Sequence, residues 1–118
     1  MADDGSLIRL CDISDVGPDT PARAEVDGET YAVFEVDGAY YVTQDLCTHG
    51  PGYLSEGYVE DGEVECPFHQ GRFDIRTGAP TLAPCTEGLC TWAVTLRDDA
   101  IWIDPRQARK SDVTLADD

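Results

Sequence analysis

Two short stretches of this chain each combine one cysteine with one histidine. The first is Cys47-Thr48-His49, and the second, Cys66-Pro67-Phe68-His69, begins after sixteen intervening residues. The chain has only two histidines, and both belong to these stretches. One thiolate and one imidazole from each of two loops could together bind a [2Fe–2S] cluster, with two thiolates on one iron and two imidazoles on the other. This ligand pattern is the strongest chemical signal in the sequence.

Structural zinc is the direct alternative, since it also takes two cysteines and two histidines. Typical zinc spacing puts both cysteines in one knuckle and both histidines in the other, whereas each stretch here is mixed. In extended backbone, residues i and i+2 face the same way, so Cys47 and His49 can both point inward. A Cys/His nucleophile pair would leave the second stretch unexplained. The arrangement therefore favours an iron–sulfur cluster, with a zinc-stabilised binding module as the less favoured alternative.

The charge of the chain limits its partners. The net charge is −16, from 24 acidic against 8 basic side chains, of which Lys110 is the only lysine. This argues against nucleic acid or an anionic membrane surface as a partner. It fits a small protein that is steered onto a basic patch of a partner protein, although a merely solubilising acidic surface explains the charge equally well.

Length and cysteine count indicate a single cytoplasmic domain. The 118 residues contain no secretory signal at the N-terminus and no apolar run of the roughly 20 residues that a membrane span needs. Five cysteines are an odd number, unlike a secreted disulfide framework. We expect Cys11 to be a half-buried strand thiol, and Cys85 and Cys90 to be free thiols rather than a disulfide.

The rest of the sequence predicts an all-β fold. Two strands, Thr30–Val36 and Ala39–Thr43, flank the hairpin-turn dipeptide Asp37-Gly38, and Asp27-Gly28 is a second such turn. Further strands are predicted at Leu7–Leu10, Ala22–Val26, Thr91–Arg97 and Ala100–Asp104. We expect these strands to form an antiparallel sandwich or barrel.

Both Cys/His stretches lie between these two groups of strands. We therefore divide the chain into a domain at 1–104, with an inserted cluster-binding segment at about 45–85, and a polar C-terminal tail at 105–118. The insertion is rich in glycine and proline, which allows backbone N–H groups to approach a cluster closely. The tail is expected to be frayed or weakly helical and to contain no strand.

The sequence resembles the Rieske family, and within it the small bacterial ferredoxins of ring-hydroxylating dioxygenase systems. The resemblance is carried by Leu46-Cys47-Thr48-His49-Gly50 and by the segment from Glu65 to Asp74, and it extends over roughly residues 7–104. Thr77-Gly78-Ala79 with Ala83-Pro84 is similar to the proline loop that covers the cluster in this family. The family resemblance implies a Rieske-like antiparallel β sandwich or barrel as the base, with an inserted cluster-binding subdomain. The implied ligands are Cys47, His49, Cys66 and His69.

The function that the resemblance implies is one-electron transfer by a [2Fe–2S] cluster, not catalysis by this chain alone. The implied donor is an NAD(P)H-dependent flavoprotein reductase, and the implied acceptor is the terminal oxygenase of an aromatic ring-hydroxylating dioxygenase. Electrons would leave through His49 and His69 at the surface. The alternative role is that of a Rieske small subunit of another oxidoreductase, such as a nitrite reductase or a monooxygenase system.

The family comparison also implies a low reduction potential. High-potential Rieske proteins of respiratory complexes place a serine and a tyrosine hydroxyl near the cluster, whereas the matching residues here are Gly71 and Phe73. Hydrogen bonds to cluster and ligand sulfur stabilise the reduced, more negative state. Without these two donors, the potential is expected near the roughly −150 mV end of the Rieske range.

The distribution of charge suggests how a partner docks. Residues 47–54, 66–71 and 79–85 carry no charge and are predicted to form an apolar tip around the cluster. The carboxylates expected to flank this tip are Glu56, Glu60, Asp61, Glu63 and Glu65. Alternatively, the apolar residues pack the loops against each other, with Leu54 and Phe73 as the first candidates.

Overall fold

Short antiparallel strands make up most of the computed structural model, which describes residues 7–48, 52–67, 70–83, 85 and 87–113. The strands are β1 (Ile8–Asp12), β2 (Ala22–Val26), β3 (Glu29–Val36), β4 (Ala39–Gln44), β5 (Tyr58–Glu60), β6 (Glu63–Glu65), β7 (Arg72–Asp74), β8 (Pro80–Leu82), β9 (Cys90–Trp92), β10 (Thr95–Arg97), β11 (Ala100–Ile103) and β12 (Arg109–Lys110). Single 3₁₀ turns lie at Ile13–Asp15 and Leu54–Glu56. The described residues form no α-helix, and the predicted all-β class is confirmed. Nor does any helix within them have the length and apolar character needed to cross a membrane.

Two sheets form the base of the fold. The larger has the order β12-β9-β4-β3-β2, and the smaller has the order β1-β11-β10. Buried side chains from both sheets meet in one cluster, which we call the base core. Its largest members are Leu10, Tyr31, Val33, Val42, Ile101 and Ile103.

Both predicted Asp-Gly turns are confirmed. Asp27 and Gly28 have φ values of 53° and 82°, and Asp37 and Gly38 have values of 52° and 82°. A two-residue hairpin of type I′ requires positive φ at both central positions, which Asp-Gly adopts at little cost. The Asp61–Gly62 turn between β5 and β6 has the same signs of φ, although we did not predict that hairpin.

The inserted segment forms a sheet of its own, with the order β5-β6-β7-β8, between β4 and β9 in the chain. Its buried side chains belong to a second cluster, which we call the site core. The apolar members from the segment are Leu54, Val64, Phe73 and Ile75, and Leu89 joins them from the start of the returning chain. The site core also contains the sulfur side chains Cys47, Cys66 and Cys85.

Strand β3 is shared by the two cores. Successive side chains of a strand point to opposite faces, and here both faces are covered. Tyr31 and Val33 belong to the base core, whereas Ala32, Phe34 and Val36 belong to the site core. This double burial explains why β3 is apolar at four consecutive positions from Tyr31 to Phe34 instead of alternating with polar residues. The site is therefore built directly on the base.

The predicted single strand Thr91–Arg97 is wrong in one respect. The chain leaves the five-stranded sheet after β9 and enters the three-stranded sheet at β10, so the segment is two strands. Leu96, expected on the same face as Trp92 and Val94, is 58% exposed. Regular alternation along the sequence continues through this change of sheet, so periodicity alone could not detect it.

The expectation that no strand follows Pro105 is also wrong. Arg109 and Lys110 form β12, which pairs with Thr91 and Cys90 at the edge of the larger sheet. The Trp92 Nε1 group donates to the Pro105 carbonyl at 3.3 Å. This bond fixes the beginning of the segment that leads from β11 to β12. A strand of two exposed basic residues has no apolar pattern to predict it from.

Substitutions on the two faces of β3 should have separable effects. Phe34→Ala removes a ring from the site core, and we expect the free energy of unfolding to fall by about 3–5 kcal/mol. Val33→Ala, one residue away but in the base core, should cost about 2 kcal/mol. Only Phe34→Ala should also speed the loss of cluster absorbance under conditions where both variants remain folded. Equal rates of cluster loss from the two variants would contradict the shared-wall interpretation.

Candidate metal centre

The two predicted sulfur ligands lie in the same buried cluster. Cys47 is 4% exposed and Cys66 is fully buried, and both belong to the site core. His49 and His69 lie outside the described residues, so their prediction as ligands stays a prediction. Within the described ranges, no group of three or more Cys, His, Asp or Glu side chains is arranged to hold a metal ion. A complete ligand set therefore depends on groups beyond the two described sulfurs.

The loop that carries Cys47 is closed at its base like a small hairpin. The Cys47 amide donates to the Gly52 carbonyl at 2.9 Å, and Leu46 forms an antiparallel bridge with Tyr53. The Gln44 side chain ties this loop to β9, because it donates to the Leu46 carbonyl at 2.7 Å and accepts from the Cys90 amide at 2.8 Å. The position of Cys47 is thus fixed by the backbone on both sides.

The loop that carries Cys66 is closed in the same way. The Cys66 amide donates to the Gly71 carbonyl at 2.8 Å, just as Cys47 donates to Gly52. The Gln70 amide in turn donates to the Cys66 carbonyl at 2.9 Å, with Gln70 in the left-handed region at φ 66°. This loop joins β6 to β7, whose Glu65 and Arg72 pair directly below it. Each cysteine therefore begins a loop of equal length, closed by a hydrogen bond to a glycine.

A buried carboxylate anchors the first loop to the base. Asp45 is fully buried, and its Oδ2 accepts from the Arg23 Nε of β2 at 2.8 Å. Its Oδ1 accepts from the Ser55 amide at 2.8 Å, and its carbonyl accepts from the Leu54 amide at 2.6 Å. The Arg23 guanidinium also stacks on the Tyr53 ring, 4.2 Å from its centroid. Asp45, which precedes the loop, thus binds the two residues that follow the loop and connects them to β2.

A third segment brings another sulfur to the same place. Cys85 is fully buried, and its Sγ lies 3.9 Å from the Cys47 Sγ. The contact with Cys47, followed by burial, raises the pKa of the Cys85 thiol above its ordinary value. The Thr48 hydroxyl donates to the Glu87 carbonyl at 2.9 Å, which fastens this segment to the first loop. The thiol of Cys11, in the base core, also has a raised pKa, to about 11, with burial as the main cause.

The chemistry of these donors fits an iron–sulfur cluster. Cys47 and Cys66 supply two soft sulfur atoms inside an apolar core, on two loops closed by equivalent hydrogen bonds. An all-β fold with two such loops is expected of a protein that binds a metal cofactor through them.

The Rieske [2Fe-2S] domain family matches residues 6–93 of this chain. The ferredoxin component of the naphthalene 1,2-dioxygenase system of Pseudomonas putida is 41% identical over 92 residues, which are 78% of this chain and 88% of that protein. The Sphingomonas yanoikuyae B1 ferredoxin superposes with a TM-score of 0.80 at 41% identity, covering 82% of this chain and 96% of that one. A ferredoxin solved in complex with the oxygenase of carbazole 1,9a-dioxygenase superposes with a TM-score of 0.77 at 36% identity, covering 83% and 92% of the two chains.

The chain belongs to the Rieske [2Fe-2S] family. Its cofactor is one [2Fe–2S] cluster, and it is an electron carrier rather than a catalytic enzyme, as the sequence predicted. A zinc-stabilised binding module is thereby excluded. The Rieske-like base with an inserted cluster-binding sheet is confirmed as well.

Sequence reasoning missed three residues that shape the site. Arg23 and Asp45 were taken as ordinary strand and boundary residues, although an acid immediately before an apolar ligand loop was a usable signal. Cys85 was expected only as a free thiol. It is indeed not joined to Cys90 by a disulfide, but its contact with Cys47 was not foreseen. These contacts join residues far apart in the sequence, which local patterns do not reveal.

The predicted apolar tip is only partly exposed. Leu54 and Pro80 are buried, and Phe73 is fully buried too, so packing of the loops against each other accounts for them. Tyr53 and Leu82 remain 37% and 49% exposed. Leu46, next to Cys47, is 47% exposed and lies just outside the predicted range 47–54. Gly50, Pro51, Phe68 and Pro84 lie outside the described residues.

The predicted acidic flank is divided by ion pairs. Arg72 lies among three carboxylates, with nitrogen–oxygen distances of 3.2 Å to Glu65, 3.6 Å to Glu60 and 3.7 Å to Glu63. Asp61 lies at the β5–β6 turn, at the opposite end of β6 from Cys66. It lines a cavity of about 420 Å³ together with Asp19, Glu35, Asp37 and Glu60. Much of the acidity therefore lies away from the ligand loops.

The Asp45 anchor leads to a stability prediction. Asp45→Asn removes the buried charge that Arg23 and the Ser55 amide bind, and because the Arg23 side chain is 38% exposed we expect a loss of about 1.5–3 kcal/mol in the free energy of unfolding. Glu56→Gln removes the other carboxylate paired with Arg23, but that side chain is 65% exposed. Its loss should cost less than about 1 kcal/mol. Chemical denaturation of both variants measures the difference, and equal losses would refute the anchoring role of Asp45.

Proposed function

We propose that this chain passes single electrons from an NAD(P)H-dependent flavoprotein reductase to the terminal oxygenase of an aromatic ring-hydroxylating dioxygenase. The observation that carries the proposal is the pair of matched loops with buried cysteines, in a chain 41% identical to a naphthalene dioxygenase ferredoxin component over most of its length. The ferredoxin–oxygenase complex among the similar structures supports an oxygenase as the acceptor. We place this carrier in the cytoplasm, where a nicotinamide-dependent reductase operates.

The proposed cluster ligands are Cys47 and Cys66 on one iron, and His49 and His69 on the other. The burial of both cysteines and the equal closure of their loops support the sulfur half of this set. The spacing of the motif and the absence of any other histidine from the sequence support the nitrogen half. When bound, the cluster takes up and releases one electron. The protein holds its sulfur ligands in an apolar core that excludes water from them.

The proposed docking surface surrounds the two ligand loops. Leu46 and Tyr53 bracket the first loop, and Leu82 precedes Cys85, so three exposed apolar side chains lie beside the buried sulfurs. Glu87, 68% exposed, is tied to the first loop by the hydrogen bond from Thr48 to its carbonyl, and its carboxylate lies 3.9 Å from the Lys110 ammonium. We propose that this apolar patch contacts the partner while nearby carboxylates orient it.

We further propose that residues 1–104 form the Rieske domain, with the cluster-binding insertion at about 45–85 and a polar tail at 105–118. The separate sheet β5-β6-β7-β8 and its own core support the insertion. The pairing of β12 with β9 extends the base into part of the tail.

The histidine ligands can be tested without mutation, because the chain has only two histidines. We expect electron–nuclear double resonance of the reduced protein to show two strongly coupled nitrogens. When the protein is produced with ¹⁵N-histidine, both hyperfine couplings should change by the ratio of the ¹⁵N to the ¹⁴N nuclear g-factors. Unlabelled protein is the control. A cluster whose nitrogen couplings do not respond to the label would contradict the assignment of His49 and His69.

Electrostatic orientation by the docking surface is tested by two reversals that change net charge equally. Glu87→Lys alters a carboxylate beside the ligand loops, whereas Asp61→Lys alters one at the far end of β6. At low ionic strength, we expect Glu87→Lys to slow electron transfer to the oxygenase by about tenfold and Asp61→Lys by less than about threefold. Stopped-flow oxidation of the reduced protein by its oxygenase measures both rates. Equal slowing would show that only net charge matters, and unchanged rates would discard steering altogether.

A further inference from the structure

Cys85 is a buried cysteine that does not belong to the proposed set of cluster ligands. It is fully buried in the site core, and its Sγ lies 3.9 Å from the Cys47 Sγ, within hydrogen-bonding range for sulfur. One side chain from a third segment thus contacts one proposed sulfur ligand, and the other, Cys66, belongs to the same buried cluster.

Gly71 makes this position of Cys85 possible. A Cβ atom added at Gly71 would overlap the Cys85 Sγ and would lie 2.8 Å from the Cys85 nitrogen and 2.9 Å from the Cys85 Cβ. The Gly71 backbone cannot move aside freely, because its carbonyl accepts the hydrogen bond from Cys66 that closes the second loop. The Cys85 thiol therefore occupies the place that a side chain at residue 71 would fill.

The segment around Cys85 is held from both sides. The Cys85 amide donates to the Leu82 carbonyl at 3.3 Å, which forms a turn after β8. Two residues later, the Glu87 carbonyl accepts from the Thr48 hydroxyl of the first loop at 2.9 Å. The approach of Cys85 to Cys47 is thus set by backbone contacts to both neighbouring elements.

We propose that the Cys85 thiol donates an S–H hydrogen bond to the Cys47 sulfur and thereby raises the reduction potential of the cluster. This rests on the proposed role of Cys47 as a ligand. A thiol is a weak donor, but a metal-bound thiolate keeps lone pairs that can accept from it. A hydrogen bond to ligand sulfur stabilises the reduced state, which carries one more negative charge. Only the electron is transferred in this step.

Cys85 supplies a hydrogen-bond donor that residues 71 and 73 lack, which affects the expected reduction potential of the cluster. Gly71 and Phe73 supply no donor of their own, as the sequence indicated. The absent side chain at residue 71, however, leaves room for a donor from another part of the chain. Cys85 is therefore a positioning residue for the electron-transfer site, and the potential should lie above that of the same cluster without its thiol.

The test compares three variants of the cluster-loaded protein by protein-film voltammetry. Cys85→Ala removes the donor, and we expect the equilibrium constant for reduction to fall about threefold to tenfold, where tenfold corresponds to about 59 mV for a one-electron couple. Cys85→Ser keeps a hydroxyl donor, so its potential should lie above that of Cys85→Ala. Cys11→Ala removes a buried thiol from the base core and should leave the potential unchanged.

A second readout follows the proton itself. After exchange into D₂O, the reduced wild-type protein should show a coupled deuteron by electron–nuclear double resonance that is absent from Cys85→Ala. If Cys85→Ala does not retain its cluster, the deuteron coupling of the wild type and the reduction potential of Cys85→Ser still test the proposal. An unchanged potential in Cys85→Ala, equal falls in the alanine and serine variants, or no exchangeable deuteron in the wild type would each overturn the proposal.

These failures are distinguishable from a failure of the proposed function. Visible absorbance reports the cluster content of every variant before its potential is measured. If Cys47→Ser left the spectrum unchanged, the ligand assignment itself would be wrong. Loaded variants with an unchanged potential would remove only the role given to Cys85.

Discussion

The burial of two cysteine sulfurs, the proposed cluster ligands, in one apolar core is the constraint on which the rest of the site depends. A single buried charge is costly unless it is compensated inside the protein. Two ferric ions and two sulfides carry a charge of +2, and two thiolates bring the oxidised cluster to zero, with neutral imidazoles adding nothing. The proposed cluster would therefore itself offset the charge of Cys47 and Cys66 among Leu54, Phe73 and Leu89. Reduction adds one negative charge at this place, where hydrogen bonds to sulfur have their largest effect.

The base of the fold provides the rigidity that this arrangement needs. Strand β3 presents one face to the base core and the other to the site core, so one strand forms a wall of both. The Arg23–Asp45 pair connects the outermost strand of the larger sheet to the first ligand loop. The pairing of β6 with β7 sets the position of the two ends of the second loop. A preorganised ligand geometry is expected for an electron carrier, because small structural change on reduction keeps electron transfer fast.

Local chemistry explains what the sequence could predict. The Asp-Gly turns were predictable because positive φ at two adjacent positions restricts the choice of residues. The two loops that begin at Cys47 and Cys66 were predictable because each Cys/His stretch is short and rich in glycine and proline. The change of sheet between β9 and β10, the strand at Arg109–Lys110 and the contact of Cys85 with Cys47 depend on residues distant in the sequence. All four ligands remain predictions: the structure describes the burial of Cys47 and Cys66, and His49 and His69 lie outside the described residues.

The most direct test of the account is a count of iron and acid-labile sulfide in freshly purified protein, together with its visible spectrum. The account predicts two irons and two sulfides per chain, and a coloured protein that bleaches partly on reduction with dithionite. A folded, colourless protein that contains zinc or no metal, and that accepts no electron, would contradict it.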